Sequence, residues 1–178
     1  MDAIISSRDN SIIYLDIVNA KKGDNEAFGS LIHNNKLSMY RISKSILRNE
    51  YDVEDAIGET ILKAYKNISH LKNNDMFKSW LFKILVNECY SAIKRKKREI
   101  LTTEFENSQN TYEDNYKDFE LMKAINSLEE NKRVATILFY YEDMSISMIS
   151  ETLVIPEGTV KSRLSRAKEK LKVLVLNL

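Results

Sequence analysis

Residues 145–171 read SISMISETLVIPEGTVKSRLSRAKEKL, a stretch with the dimensions of a helix-turn-helix: a short helix, a turn near Val154 and a second helix opening at Pro156. Proline suits a first helical position, where its missing N–H would have no intrahelical partner. On the second helix Val160, Leu164, Ala167 and Leu171 recur at helical spacing and form one apolar face. The opposite face carries Gly158, Ser162 and Ser165 at its centre, with Lys161, Lys168 and Lys172 on one shoulder and Thr159, Arg163, Arg166 and Lys170 on the other. Small residues in the middle let such a helix approach a groove, and cations on both shoulders meet the two phosphate backbones. A solvated surface helix of alternating charge has the same composition, so the stretch alone leaves both readings open.

Working back toward the N-terminus, the pattern stays helical. Ile12, Ile13, Leu15, Ile17 and Val18, then Ala27, Phe28, Leu31, Ile32, Met39, Ile42, Ile46 and Leu47, predict two helices within 11–48, broken at KKGDNEA. A third helix over 51–68 places Val53, Ala56, Ile57, Thr60, Ile61, Ala64, Tyr65 and Ile68 on one stripe. After the polar SHLKNND of 69–75 a fourth runs from Phe77, with Trp80, Leu81, Ile84, Leu85, Ala92 and Ile93 inward, and ends in KRKKR at 94–98. Residues 102–118 (TTEFENSQNTYEDNYKD) have no clear period and too little aliphatic content to offset ordering entropy, the composition of a linker. Beyond them Leu121, Ala124, Ile125 and Leu128, then Val134, Ile137, Leu138 and Tyr141, then Ile146, Ile149 and Leu153 lead into the last helix, so four short helices form a second domain. With only four Gly and one Pro, and no strand-like alternation, the expectation is an all-α protein of two small helical domains joined by a flexible acidic linker.

Net charge is only +1, but the charges are segregated. Residues 50–59 (EYDVEDAIGE) carry five acids and no base, and 99–118 carry six acids against Lys117. Residues 78–98 carry seven cations against Glu88, and 157–172 carry six against Glu157 and Glu169. Distribution, not the sum, decides nucleic-acid binding. Cations near Trp80, Phe82 and Tyr90 suit a surface that holds unpaired bases and their backbone, although rings at this spacing also serve as core. The acidic helix repels nucleic acid and suits a basic protein partner.

Catalysis finds little support: His33 and His70 have no acid at a ligand spacing, Cys89 has no apparent base, and there is no Gly-rich phosphate loop. No metal and no cofactor are expected. The lone cysteine, the acidic start MDAIISSRDN and the lack of any run of 18 apolar residues point to a cytoplasmic protein that is not itself a membrane protein.

The order DVEDAIGETILKAYKNI, FKSWLFKILVNECYSAIKRKKR, acidic linker, LEENKRVATILFYYEDMSISMISETLVIPEGTVKSRLSRAKEKL resembles the bacterial sigma-70 family, extracytoplasmic-function subgroup, over about residues 15–175. The resemblance implies a sigma-2-like domain at 11–98, a linker at 99–118 and a sigma-4-like helix-turn-helix domain at 119–178. It implies core RNA polymerase as a partner, through the beta-prime clamp and beta flap, with Asp52, Asp55, Glu59 and Thr60 as clamp contacts. It implies promoter DNA as the second partner. In SHLKNNDMF, the loop that captures a flipped minus-ten base, Leu71, Lys72 and Asn73 are candidates; Asn87, Tyr90, Lys94, Arg95 and Arg98 would hold the melted strand. Thr159, Lys161, Ser162, Arg163 and Arg166 would read the minus-thirty-five element. It further implies control by an anti-sigma factor, which can be membrane-tethered.

Three positions depart from the family pattern. Leu71 replaces an aromatic residue common at the start of the loop, which weakens stacking there. Val154 occupies a turn position often held by Gly or Asn; a β-branched residue at positive φ is strained, which predicts another turn geometry. Met148 removes the carboxylate half of a capping box begun by Ser145, which predicts easier fraying. The rival reading is a stand-alone helix-turn-helix regulator with a sensing N-terminal domain; the basic stretch at 79–98 and the acidic helix count against it, and binding to core polymerase separates the two.

Overall fold

The computed structural model describes the backbone of residues 2–100 and 118–176, and the side chains of residues 11–98 and 121–173. Eight α-helices and two 3-10 turns lie among the described residues, with no strand: α1 (Asp2–Ala20), α2 (Asn25–Ile46), α3 (Glu50–Asn67), α4 (Phe77–Ile100), α5 (Asp118–Asn126), α6 (Glu130–Tyr140), α7 (Ile146–Leu153) and α8 (Glu157–Leu176). The linker expected over 99–118 lies outside the described residues except at its ends, where α4 reaches Ile100 and α5 begins at Asp118.

Local chemistry sets the breaks. Gly23 takes φ +96°, a conformation that a side chain would strain, and the next residue, Asp24, caps α2 by accepting from the N–H groups of Glu26 and Ala27. Asn49 caps α3 by accepting from Tyr51 N–H. Between α3 and α4 the turns Ile68–His70 and Asn74–Met76 bracket a short loop.

Helices α1–α4 form one bundle. The buried stripe Val53, Ala56, Thr60 and Ala64 lies on α3, which packs along α4; small residues on that stripe let the two backbones approach. Leu31, Met39, Ile42, Leu81, Phe82 and Leu85 are fully buried here, and Phe82, not Trp80, is the ring at the centre. Each such side chain contributes about 1.5–3 kcal/mol through burial. Cys89 is buried as well, and desolvation pushes its thiol up to about 11, so it stays protonated and inert at neutral pH. Helices α5–α8 form the second bundle around Ile125, Ile137, Leu138, Met144, Ile149 and Val160.

The two bundles dock, α6 against α2 and α7 against α4, and their buried residues make one continuous cluster. Polar contacts stitch the seam. Glu142 meets Arg41 at 2.5 Å and Lys78 at 3.6 Å, while Lys78 Nζ also donates to the Glu142 backbone oxygen. Arg133 Nε donates to Ser45 O at 2.7 Å, and Thr152 Oγ1 to Ser79 O at 3.4 Å.

Candidate nucleic-acid interface

The helix-turn-helix is built as its sequence requires, with one exception. Ser145 Oγ accepts from Met148 N–H at 3.2 Å, so the hydroxyl half of the capping box survives without its carboxylate, and α7 is a complete helix of two turns. Pro156 O accepts from Thr159 and Val160 N–H and starts α8. The exception is Val154, which does adopt the left-handed conformation, φ 54° and ψ 50°, instead of relieving it through another turn geometry. Its N–H and that of Ile155 both reach Ser150 O, and Ser150 Oγ donates to Ile155 O, so the angle between α7 and α8 is fixed by bonds that only this backbone geometry supplies. Val154 is 67% exposed, so little burial compensates its strain. Val154→Gly is therefore expected to stabilise the chain by about 0.5–1 kcal/mol, the strain relieved less the entropy that glycine adds to the unfolded state. A urea midpoint lower than wild type would show that the valine's contacts outweigh its strain.

On α8, Val160 and Ala167 are buried and Leu164 and Leu171 half-buried, which leaves Lys161, Ser162 and Arg166 exposed and Thr159 and Arg163 half-exposed. Ser162 Oγ donates to Thr159 O, which turns that hydroxyl back on its own helix.

On α4, Asn87, Lys94, Arg95 and Arg98 are exposed and Tyr90 half-buried. Burial, and then the Glu130 carboxylate, push the Tyr90 hydroxyl up, while Arg163 acts the other way. Tyr90 of the first bundle thus faces Glu130 and Arg163 of the second. Arg95 pairs with Asp55 at 2.7 Å and Lys96 with Asp52 at 3.1 Å, so the basic end of α4 lies against the acidic start of α3.

Two of the sequence-expected contacts point inward. Thr60 is 0% exposed and its hydroxyl donates to Ala56 O at 2.6 Å, so it belongs to the α3–α4 packing while Asp55 and Glu59 face solvent and Asp52 does so in part. Leu71 is 6% exposed and anchors its loop in the core, leaving Lys72 and Asn73 on the surface. An apolar residue in a polar loop offers no local sign of which way it faces. Lys21, which sequence reasoning missed, holds this loop: its Nζ donates to Leu71 O at 2.7 Å and Asn74 Oδ1 at 3.0 Å. Asn73 Oδ1 accepts from Asp75 N–H.

A cleft of about 620 Å³ is lined by residues of the loop and of the helix-turn-helix turn, among them Lys72, Asn73, Trp80, Lys83, Val154 and Pro156. No group of three potential metal ligands occurs among the described residues.

The pattern of Sigma-70 region 2 matches residues 31–99, and that of Sigma-70, region 4 matches residues 118–171. The RNA polymerase sigma factor SigV of Bacillus subtilis is 32% identical over 144 residues, 80% of this chain and 87% of its own length. The ECF RNA polymerase sigma factor SigW of the same organism is 31% identical over 173 residues, 88% of this chain and 92% of its own. Among solved structures, the sigma factor RpoE in complex with the anti-sigma factor NepR from Bartonella quintana aligns with a TM-score of 0.71 at 27% identity, covering 83% of this chain and 96% of that one.

Proposed function

Because the chain belongs to the extracytoplasmic-function group of the sigma-70 family, and so directs core RNA polymerase to promoter DNA, we propose a division of that work among its surfaces. Residues 11–98 act as the sigma-2 domain, 99–118 as the linker and 119–178 as the sigma-4 domain. Thr159, Lys161, Ser162, Arg163 and Arg166 of α8 read the minus-thirty-five element. Lys72, Asn73, Asn87, Tyr90, Lys94, Arg95 and Arg98 hold the minus-ten strand. Asp52, Asp55 and Glu59 dock the beta-prime clamp, and the second domain docks the beta flap. The polymerase supplies all the chemistry, in the cytoplasm; among the described residues no helix is long and apolar enough to cross a membrane.

The observation that carries this reading is the pair of exposed cationic helix faces, on α4 and α8, beside an acidic face on α3 that meets the basic end of α4 through Asp52 and Asp55. Elements named minus-ten and minus-thirty-five lie about 25 base pairs apart, roughly 85 Å of duplex, whereas a folded chain of this length has a radius of gyration of about 16 Å. The docked form therefore engages one element at a time, and the bundles separate on the promoter. An anti-sigma factor, as NepR is for the related RpoE, holds the chain in the docked form.

Arg163→Ala combined with Arg166→Ala is expected to weaken promoter binding by the holoenzyme by roughly 10- to 100-fold while leaving core affinity unchanged, measured with a promoter selected from a randomised library. Loss of core binding with promoter preference retained would remove α8 from the minus-thirty-five role.

A further inference from the structure

Among the described residues three ion pairs bridge α3 and α4, and they do not all run the same way. Near the start of α3, Asp52 meets Lys96 and Asp55 meets Arg95; further along, Lys63 meets Glu88 at 2.6 Å with the signs exchanged. In the first two pairs the acids belong to the face assigned to the polymerase clamp, and the cations to the face assigned to DNA phosphates. Within the run 94–98, Lys94 and Lys97 have no acidic partner among the described residues, whereas Arg95 and Lys96 each have one on α3.

We propose that the Asp52–Lys96 and Asp55–Arg95 pairs couple the two binding sites: the free chain screens its own DNA-binding cations with the acids that dock polymerase, and polymerase releases them. This rests on the assignment of the two faces above. A carboxylate within about 3 Å of a cation neutralises it toward a phosphate and repels that phosphate as well. All four side chains are partly exposed, so these pairs exchange partners readily, where a buried pair would be locked. A cationic clamp surface that takes Asp52 and Asp55 removes both effects at once and frees Arg95 and Lys96. By linkage, DNA that takes the two cations strengthens polymerase binding by the same factor. The chain is thus a poor DNA binder alone and a better one on the enzyme, with no change of fold required.

The test compares charge-matched variants of the full chain. For the free protein and a labelled single-stranded oligonucleotide of mixed sequence at low salt, Asp52→Asn with Asp55→Asn should tighten binding about tenfold. Glu54→Gln with Glu59→Gln removes the same charge from the same helix but breaks neither pair, and should tighten it less than about threefold. In the reverse arm, Arg95→Gln with Lys96→Gln should tighten core polymerase binding more than Lys94→Gln with Lys97→Gln does. Equal effects within either set of variants, or no tightening by the Asp or Arg/Lys doubles, would overturn the coupling. Failure of the wild-type chain to bind core polymerase in the same titration would instead overturn the functional assignment, while the oligonucleotide arm still judges the pairs.

Discussion

Arg133→Ala should lower the free energy of unfolding by about 3–5 kcal/mol, read as a fall in the urea midpoint. Arg133 is buried, 7% exposed, yet its guanidinium pairs with no carboxylate among the described residues. It donates instead to three carbonyls: Ser45 O through Nε, and Asn126 O and Leu128 O through Nη1. Ser45 lies in the last turn of α2 and Asn126 ends α5, so one side chain supplies a donor and a positive charge to two helix C-termini, where carbonyls have no partner of their own. Burial, and then Arg48, lower the Arg133 pKa, but a guanidinium remains charged throughout the usable pH range. Truncation leaves all three carbonyls short of a donor and opens a cavity. Arg133→Lys keeps the charge but cannot present a rigid fork, and should recover less than half of the loss. A drop below about 1 kcal/mol in the alanine variant would mean that water takes over the three bonds.

The second large effect concerns docking of the bundles. Glu142→Ala should shift the balance between docked and separated bundles by about 3 kcal/mol, on the order of a hundredfold. The carboxylate side chain is 2% exposed and is the acid that Arg41 and Lys78 share. Without it two cations at the seam have no acidic partner among the described residues; Arg41 keeps the Tyr141 ring, 5.0 Å from its guanidinium carbon. Small-angle scattering should show a larger radius of gyration for the variant at the same protein concentration. An unchanged radius with lower stability would place the role of Glu142 inside the second bundle.

The all-α fold and its two helical groups were legible because α2–α8 keep a 3.6-residue apolar period between turn residues that break it, whereas on α1 Ile12, Ile13 and Leu15 of the expected stripe are exposed. Orientation within a helix was less so. Trp80 and Phe82 both sit near the inward stripe of α4, and which ring becomes core depends on the space that α2 and α3 leave. Thr60 lies on the inward stripe of α3 and also among the residues matched to the clamp contact; burial resolves that overlap. The seam was not legible. Arg41 and Glu142 are 101 residues apart, Arg133 and Ser45 are 88 apart, and no local pattern ties them. Two domains flanking an acidic linker read as independent, and only the tertiary arrangement shows what their polar residues share. The strain at Val154 was readable; its persistence was not, because the bonds converging on Ser150 override the residue's own preference.

The clasp of Lys21 on the loop between α3 and α4 has a kinetic side. A loop that waits unordered must lose its freedom at the moment a nucleotide enters, and that loss is subtracted from affinity. Here Leu71 in the core, the Lys21 ammonium on Leu71 O and Asn74 Oδ1, and the Asn73 side chain on Asp75 N–H fix the loop in advance. The ordering entropy has been met during folding, in part by a lysine of the turn after α1, 50 residues before Leu71 in the sequence. If this loop takes the minus-ten base, as proposed, the lifetime of the opened strand on the enzyme depends on Lys21 as well as on the residues that touch the base.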